Sequence, residues 1–195
     1  MIQELKKALS FSANWALSRP FYASLDITNH CNLRCEGCDF PILLEKGNLG
    51  KDIPTEGLEE RINTLNEAFG SLVVVFAGFE PTVRNDLPEL ISMASQRNLV
   101  GVVTNGTLIT EAKAEDYWNA GLLFASVSMP AVDDQRFKEI VQVQKYGVND
   151  VKGAIETLVG TAPRFGKVAV TATIDNQTTP GEMESLVAYA KSAKA

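Results

Sequence analysis

Leu72-Val73-Val74-Val75-Phe76 is an unbroken apolar run, and Ala77-Gly78-Phe79-Glu80-Pro81 ends it with a glycine and a proline. A strand with one wet face alternates apolar and polar residues, whereas a strand covered on both faces has no need to. The run therefore predicts a buried strand over residues 72–77, although a short apolar run also fits a buried helix. Similar segments follow at residues 21–28, 99–104, 123–128 and 168–174. Several of them are continuously apolar, as strands of a parallel sheet covered by helices would be.

The intervening segments read as helices. Leu58, Ile62 and Leu65 recur at helical spacing, and Asp86 with Glu89 forms a capping-box pattern ahead of Leu90, Ile91 and Ala94. Thr110 is placed to cap a helix that ends near Gly121. Thr179-Pro180-Gly181-Glu182 supplies a cap, a first-turn proline and a third-position glutamate before Met183, Leu186, Val187 and Ala190. A helix ahead of the first strand carries Leu5, Leu9 and Ala16 on one side, which reads as a packed lid in preference to a membrane anchor. The result is a helix over residues 1–20 packing on a core domain over residues 21–195. The core has five β–α units, so it is an α/β fold with a parallel sheet and right-handed crossovers. Periodicity does not separate an open doubly wound sheet from part of a β/α barrel. Both gather ligands at the carboxyl ends of their strands.

The chain has 195 residues, of which 45% are hydrophobic, and a net charge of −6. That length suits one sizeable core. A negative balance argues against nucleic acid as the main partner, since such partners meet a basic face. No apolar run approaches the roughly 18–20 residues of a membrane span, and no secretory signal is recognisable, so a cytoplasmic location is expected. The three cysteines all fall within eight residues. A tight cluster of this kind reads as a metal site in a reducing compartment, not as a disulfide framework.

That cluster is Cys31-Asn32-Leu33-Arg34-Cys35-Glu36-Gly37-Cys38, directly after the first predicted strand. Three thiolates on one loop can converge on one metal centre. A structural zinc site fills four positions, and His30, the single histidine, is the one candidate for a fourth ligand. Adjacent ligands at 30 and 31 would strain a tetrahedral site. With three sulfurs only, a cluster of four irons would keep one iron open to a ligand.

Cys-x3-Cys-x2-Cys after a first strand, with Asp26-Ile27-Thr28-Asn29-His30 before it and Asn32-Leu33-Arg34 inside it, resembles the signature of the radical S-adenosylmethionine (radical SAM) superfamily. The resemblance implies that Cys31, Cys35 and Cys38 hold a 4Fe–4S cluster whose fourth iron is chelated by S-adenosylmethionine. One electron from the cluster would then release methionine and a 5′-deoxyadenosyl radical that acts on a substrate. Gly78-Phe79-Glu80-Pro81 is similar to the family's Gly-Gly-Glu-Pro turn, which implies contacts from Gly78, Phe79, Glu80 and Pro81 to the cofactor's methionine ammonium group. Phe79 stands where glycine is usual, a costly choice if that position needs a positive φ. Thr104-Asn105-Gly106 resembles the family's Thr-Asn-Gly turn and places Thr104 or Asn105 near the cofactor, although Asn-Gly is also a common turn dipeptide. Ser128 matches a family serine that offers a hydroxyl, and Pro130 replaces an acidic residue beyond it. Thr173 and Asn176 are further candidates for the ribose. Gly37 stands where many relatives carry an aromatic against the adenine; Phe40 could take that role or belong to the core. Tyr117, Trp15 and Trp118 read as packing.

The resemblance covers residues 21 to about 190 and implies a partial, TIM-like β/α barrel. The family barrel has six units and five are recognisable here, so a sixth unit is expected to be missing or misplaced, or the chain to be truncated. The implied partners are a substrate and an electron donor such as flavodoxin or ferredoxin. A cluster-binding module without catalysis is the alternative, suggested by Phe79, Pro130 and the missing unit.

Overall fold

The computed structural model describes residues 2–195. Five strands form one all-parallel sheet: β1 (Tyr22–Asp26), β2 (Val73–Ala77), β3 (Leu99–Thr104), β4 (Leu122–Ser128) and β5 (Lys167–Thr171). Their spatial order is β1-β2-β3-β4-β5, the order of the chain. A doubly wound sheet reverses strand order at a switch point. No reversal occurs among these strands, so successive crossovers return on one side and the sheet is a segment of a β/α barrel.

Helix α1 (Ile2–Ala16) precedes β1, and α2 (Asp39–Glu45) and α3 (Thr55–Phe69) lie between β1 and β2. Helices α4 (Leu87–Ser95) and α5 (Glu111–Asn119) follow β2 and β3. Helices α6 (Asp134–Val141) and α7 (Val148–Thr161) join β4 to β5, and α8 (Pro180–Ala193) follows β5. Among the described residues no helix is long and apolar enough to cross a membrane.

The core lies between the helices and one face of the sheet. Val74, Phe76, Val100, Val102, Ala125 and Val127 are buried there against Leu58, Ile62, Leu90, Ile91, Tyr117, Val151 and Ile155. The opposite face carries a register row of Ser24, Val75, Gly101, Phe124 and Lys167, with Ser126 and Ala169 in the next. The Phe124 ring lies across Gly101, where a Cβ would come within 2.1 Å of a ring carbon. That lid buries Val75 and explains why β2 reads as apolar throughout. At the sheet's two edges β1 and β5 alternate between half-buried and exposed residues, so among the described residues this face is open there. Continuous apolar character thus belongs to the middle of the sheet alone.

Several local expectations change in the folded chain. Strand β1 stops at Asp26, short of residue 28, because Thr28 Oγ1 and the Asn29 N–H leave the ladder and donate to the Asp52 carboxylate at 2.8 and 2.6 Å. Strand β5 ends at Thr171, so Thr173 sits in the following loop. Asp86 holds the N-cap position of α4 without a side-chain cap bond, since its carboxylate is engaged by Arg84 and Thr55. Thr110 caps α5, and Thr179 with Glu182 closes a full capping box on α8, as the sequence predicts.

The Leu5 and Leu9 stripe of α1 does not pack; these residues are 60% and 61% exposed, and Ala16 is exposed too. The helix is held from another side. Asn14 Nδ2 donates to Phe69 O at 2.7 Å and Ser10 Oγ accepts from Ser71 N at 3.0 Å. The end of α3 leaves backbone groups without helical partners, and polar side chains of α1 satisfy them.

Candidate active site at the strand ends

The cysteine loop runs between β1 and α2. Arg34 N donates to Val141 O at 3.1 Å and Glu36 N to Ile140 O at 2.8 Å, so the loop caps the carboxyl end of α6. Arg34 Nη1 turns back to Cys31 O and Leu33 O at 3.1 and 2.8 Å. Gly37 has φ +73, a backbone conformation that suits glycine between two ligand positions. Two backbone N–H groups point at sulfur: Leu33 N at Cys31 Sγ, 3.4 Å, and Phe40 N at Cys38 Sγ, 3.5 Å.

These thiols suit an iron–sulfur cluster. All three are free and half-buried. Burial pushes Cys35 up to about 11, and the charges of Cys31 and Cys38 push in the same direction. Burial likewise raises Cys31. Three thiolates crowded in this way repel one another unless a cationic centre binds them, and N–H donors to sulfur are the usual company of cluster ligands. The zinc alternative would need His30 as its fourth ligand. His30 faces Asp52 at 4.0 Å and is largely exposed.

The β2 turn lies beside this loop: Glu80 N donates to His30 O at 3.0 Å. Gly78 has φ +110, and a Cβ there would meet Thr28 O at 2.8 Å, so only glycine lets the two loops approach. Phe79 is absent from the residues with positive φ, so the exchange of glycine for phenylalanine carries no backbone strain. Its ring packs at 4.9 Å on Phe40, which is buried and has the Arg34 guanidinium over its face. Phe40 is therefore core, and Phe79 has its reason there. Pro81 opens a buried 3-10 turn, Pro81–Val83, where its missing N–H leaves no donor unpaired.

The Glu80 carboxylate is turned into the protein. It is 0% exposed. Oε1 accepts from Thr82 N, Thr82 Oγ1 and Thr104 Oγ1, at 3.0, 2.5 and 2.7 Å, and Oε2 accepts from Asn105 N at 2.6 Å. Burial pushes this carboxyl above its usual range while the four donors pull it back. In this arrangement the Glu80 carboxylate clamps the β2 and β3 turns together. Thr104 is buried in the same clamp and also lies away from the ligand cavity, since its hydroxyl serves Glu80 and accepts from Gly106 N.

An open cavity of about 680 Å³ lies at the strand ends, lined by Cys35, Cys38, Asn105, Ser128, Arg136 and Thr173 among others. Gly78, Pro81 and Asn176 are not in the lining. Arg136, on α6, is the one cation of the lining and pairs with Glu182 at 3.4 Å. Short-range motifs gave no signal for Arg136. Nor did they for Asp52, which fixes the loop before Cys31, or for Arg84, whose partners lie far along the chain.

Arg84 donates through Nη1 to Ile27 O and Ile53 O, both at 2.8 Å, and grips Asp86 through Nε and Nη2. Its side chain is 8% exposed. Arg84→Ala leaves two carbonyls and a carboxylate short of a donor and is expected to cost about 3 kcal/mol of stability, read by denaturant unfolding. The Arg84 hydrogen bonds hold the Asp86 carboxyl below the usual carboxylate range. A lowered folded value gives stability that is present above the unfolded value, near pH 4, and lost as pH falls through the folded one. That acid-side slope should flatten in Arg84→Ala.

A family model described as the Radical SAM superfamily matches residues 25–189. The chain therefore belongs to the Radical SAM superfamily, whose members use a 4Fe–4S cluster and S-adenosylmethionine. The PqqA peptide cyclase of Bradyrhizobium diazoefficiens is 34% identical over 116 residues, covering 59% of this chain and 30% of its own length. The Fe-coproporphyrin III synthase of Methanosarcina barkeri is 34% identical over 114 residues, covering 58% of this chain and 28% of its own. The chain thus spans about a third of the length of these relatives. Streptococcus suis SuiB bound to S-adenosylmethionine superposes with a TM-score of 0.70 over 90% of this chain and 39% of that one, at 18% identity, which shows the partial-barrel fold.

Proposed function

We propose that this chain is the catalytic core of a radical SAM enzyme that cleaves S-adenosylmethionine reductively and acts on an organic substrate. The observation that carries the reading is the meeting of three strand-end loops on one rim. Glu80 N reaches His30 O, Asn105 joins the cysteine loop, and Cys35, Cys38, Asn105 and Ser128 share one cavity. Cys31, Cys35 and Cys38 would hold the cluster, which supplies one-electron cleavage of the cofactor's carbon–sulfur bond when both are bound. The backbone carbonyls at Gly78 and Phe79 would accept from the methionine ammonium group, with Glu80 behind them fixing the turn. Ser128 and Arg136 offer a hydroxyl and a cation to the polar end of the cofactor. The substrate would meet the uncovered sheet face that carries Ser24, Phe124 and Ser126. Free thiols and an oxygen-sensitive cluster suit a reducing, cytoplasmic compartment, with flavodoxin or ferredoxin as the electron donor.

Anaerobic reconstitution should load about four irons per chain. Reduction with S-adenosylmethionine present should then release methionine and 5′-deoxyadenosine. A loaded protein that releases no 5′-deoxyadenosine would instead support the non-catalytic cluster module. Protein that takes up stoichiometric zinc and no iron would reject both.

A further inference from the structure

Asn105 makes a contact with Cys31 that its place in a turn does not require. Its backbone N–H goes to Glu80 Oε2 at 2.6 Å, which fixes the residue relative to β2. Its side-chain oxygen accepts twice from Thr107, from N at 3.0 Å and from Oγ1 at 2.6 Å. Those bonds settle which way the amide faces, because a flipped amide would set its NH2 group against two donors. Nδ2 therefore points to the cysteine loop. It donates to Asn32 Oδ1 at 2.9 Å and stands 3.9 Å from Cys31 Sγ, across 74 positions of sequence. The ring closes through Asn32 Nδ2, which donates to Thr107 Oγ1 at 2.7 Å. An NH2 group has two hydrogens, so both acceptors can be served at once. The second hydrogen has the sulfur as its partner.

We propose that Asn105 tunes the cluster by donating a side-chain N–H to Cys31 Sγ, raising the cluster's reduction potential. The inference rests on Cys31 being a cluster ligand. A reduced cluster carries one more negative charge than an oxidised one, and part of that charge resides on the ligand sulfurs. A donor aimed at sulfur therefore stabilises the reduced state more. The Leu33 N–H already reaches the same sulfur from within the loop. Asn105 adds a donor from another β–α unit, locked in direction by Thr107 and in place by Glu80.

The test is a potentiometric titration of the reconstituted cluster, followed by electron paramagnetic resonance without S-adenosylmethionine. Asn105→Leu keeps the side chain's approximate shape and removes the donor. It should lower the midpoint by about a tenfold change in the reduction equilibrium, 59 mV for one electron. Thr107→Val breaks the same ring at another point but leaves Asn105 Nδ2 free to donate, and should stay near wild type. Fully loaded Asn105→Leu with an unchanged midpoint overturns the proposal. So does an equal shift in both variants, which would mark ring packing as the cause. Should Asn105→Leu fail to load iron, wild-type protein carrying 15N in its asparagine side-chain amides decides. A 15N hyperfine coupling to the reduced cluster that persists in Asn32→Asp, which keeps the acceptor for Asn105 Nδ2 and has no amide of its own, supports the contact, and its absence refutes it. Wild type that binds no iron overturns the ligand assignment itself, and iron content reports that separately.

Discussion

Cys35→Ala is expected to give a folded protein that holds no stable 4Fe–4S cluster and cleaves S-adenosylmethionine no faster than buffer. Cys35 is the middle ligand of the loop, and the chain has no fourth cysteine to replace it. Two thiolates cannot hold a four-iron centre against exchange with solvent thiols. The fold should survive, because Arg34 N and Glu36 N still cap α6 and the core lies on the helix side of the sheet. Burial keeps the apo Cys35 thiol protonated and uncharged, so its loss removes only a small packed side chain and the apo variant should unfold close to the apo wild type. Iron content, the cluster's visible absorption and thermal unfolding of both apo proteins check these outcomes together. A Cys35→Ala protein with full iron and normal cleavage would remove this residue from the ligand set.

Glu80→Gln is expected to destabilise the chain by about 2 kcal/mol and to loosen the turn at Asn105. Oε1 takes three donors and Oε2 takes one. The hydroxyls of Thr82 and Thr104 can rotate and accept from an amide. The backbone N–H groups of Thr82 and Asn105 cannot. Whichever way the glutamine amide is turned, one buried backbone donor is left facing another donor. Glu80→Ala strands all four groups and should lose about 3 kcal/mol or more, a large share of a typical domain's 5–15 kcal/mol. Hydrogen exchange should show the Asn105 amide proton losing protection first. If the two variants unfold like wild type, the clamp is not what holds these turns together.

Ligand type was legible in the residues because it is a local property. Three thiols at short spacing can share a centre wherever their loop lies, and the apolar runs with their caps fix the alternation of strand and helix. Helix α7 was not singled out in the sequence, although it buries Val148, Val151, Ile155 and Leu158 at helical spacing. What could not be read was where each polar side chain points. Glu80 looks like a ligand-facing acid in a strand-end turn. It is a buried clamp because Thr82, Thr104 and Asn105 all bring donors to it. The α1 stripe looks like a packing face, but the groups in need of partners were backbone atoms at the end of α3.

By itself the sequence determined the strand–helix alternation, the cysteine loop and the turns that follow the strands, since each depends on residues within a few positions. Only the tertiary structure decided the order of strands in the sheet, the uncovered sheet face, the engagement of Glu80 and the meeting of Asn105 with Cys31. Those depend on groups brought together from distant parts of the chain. The free energy of a buried hydrogen bond is set by whichever donor arrives, and no local pattern records which one that will be.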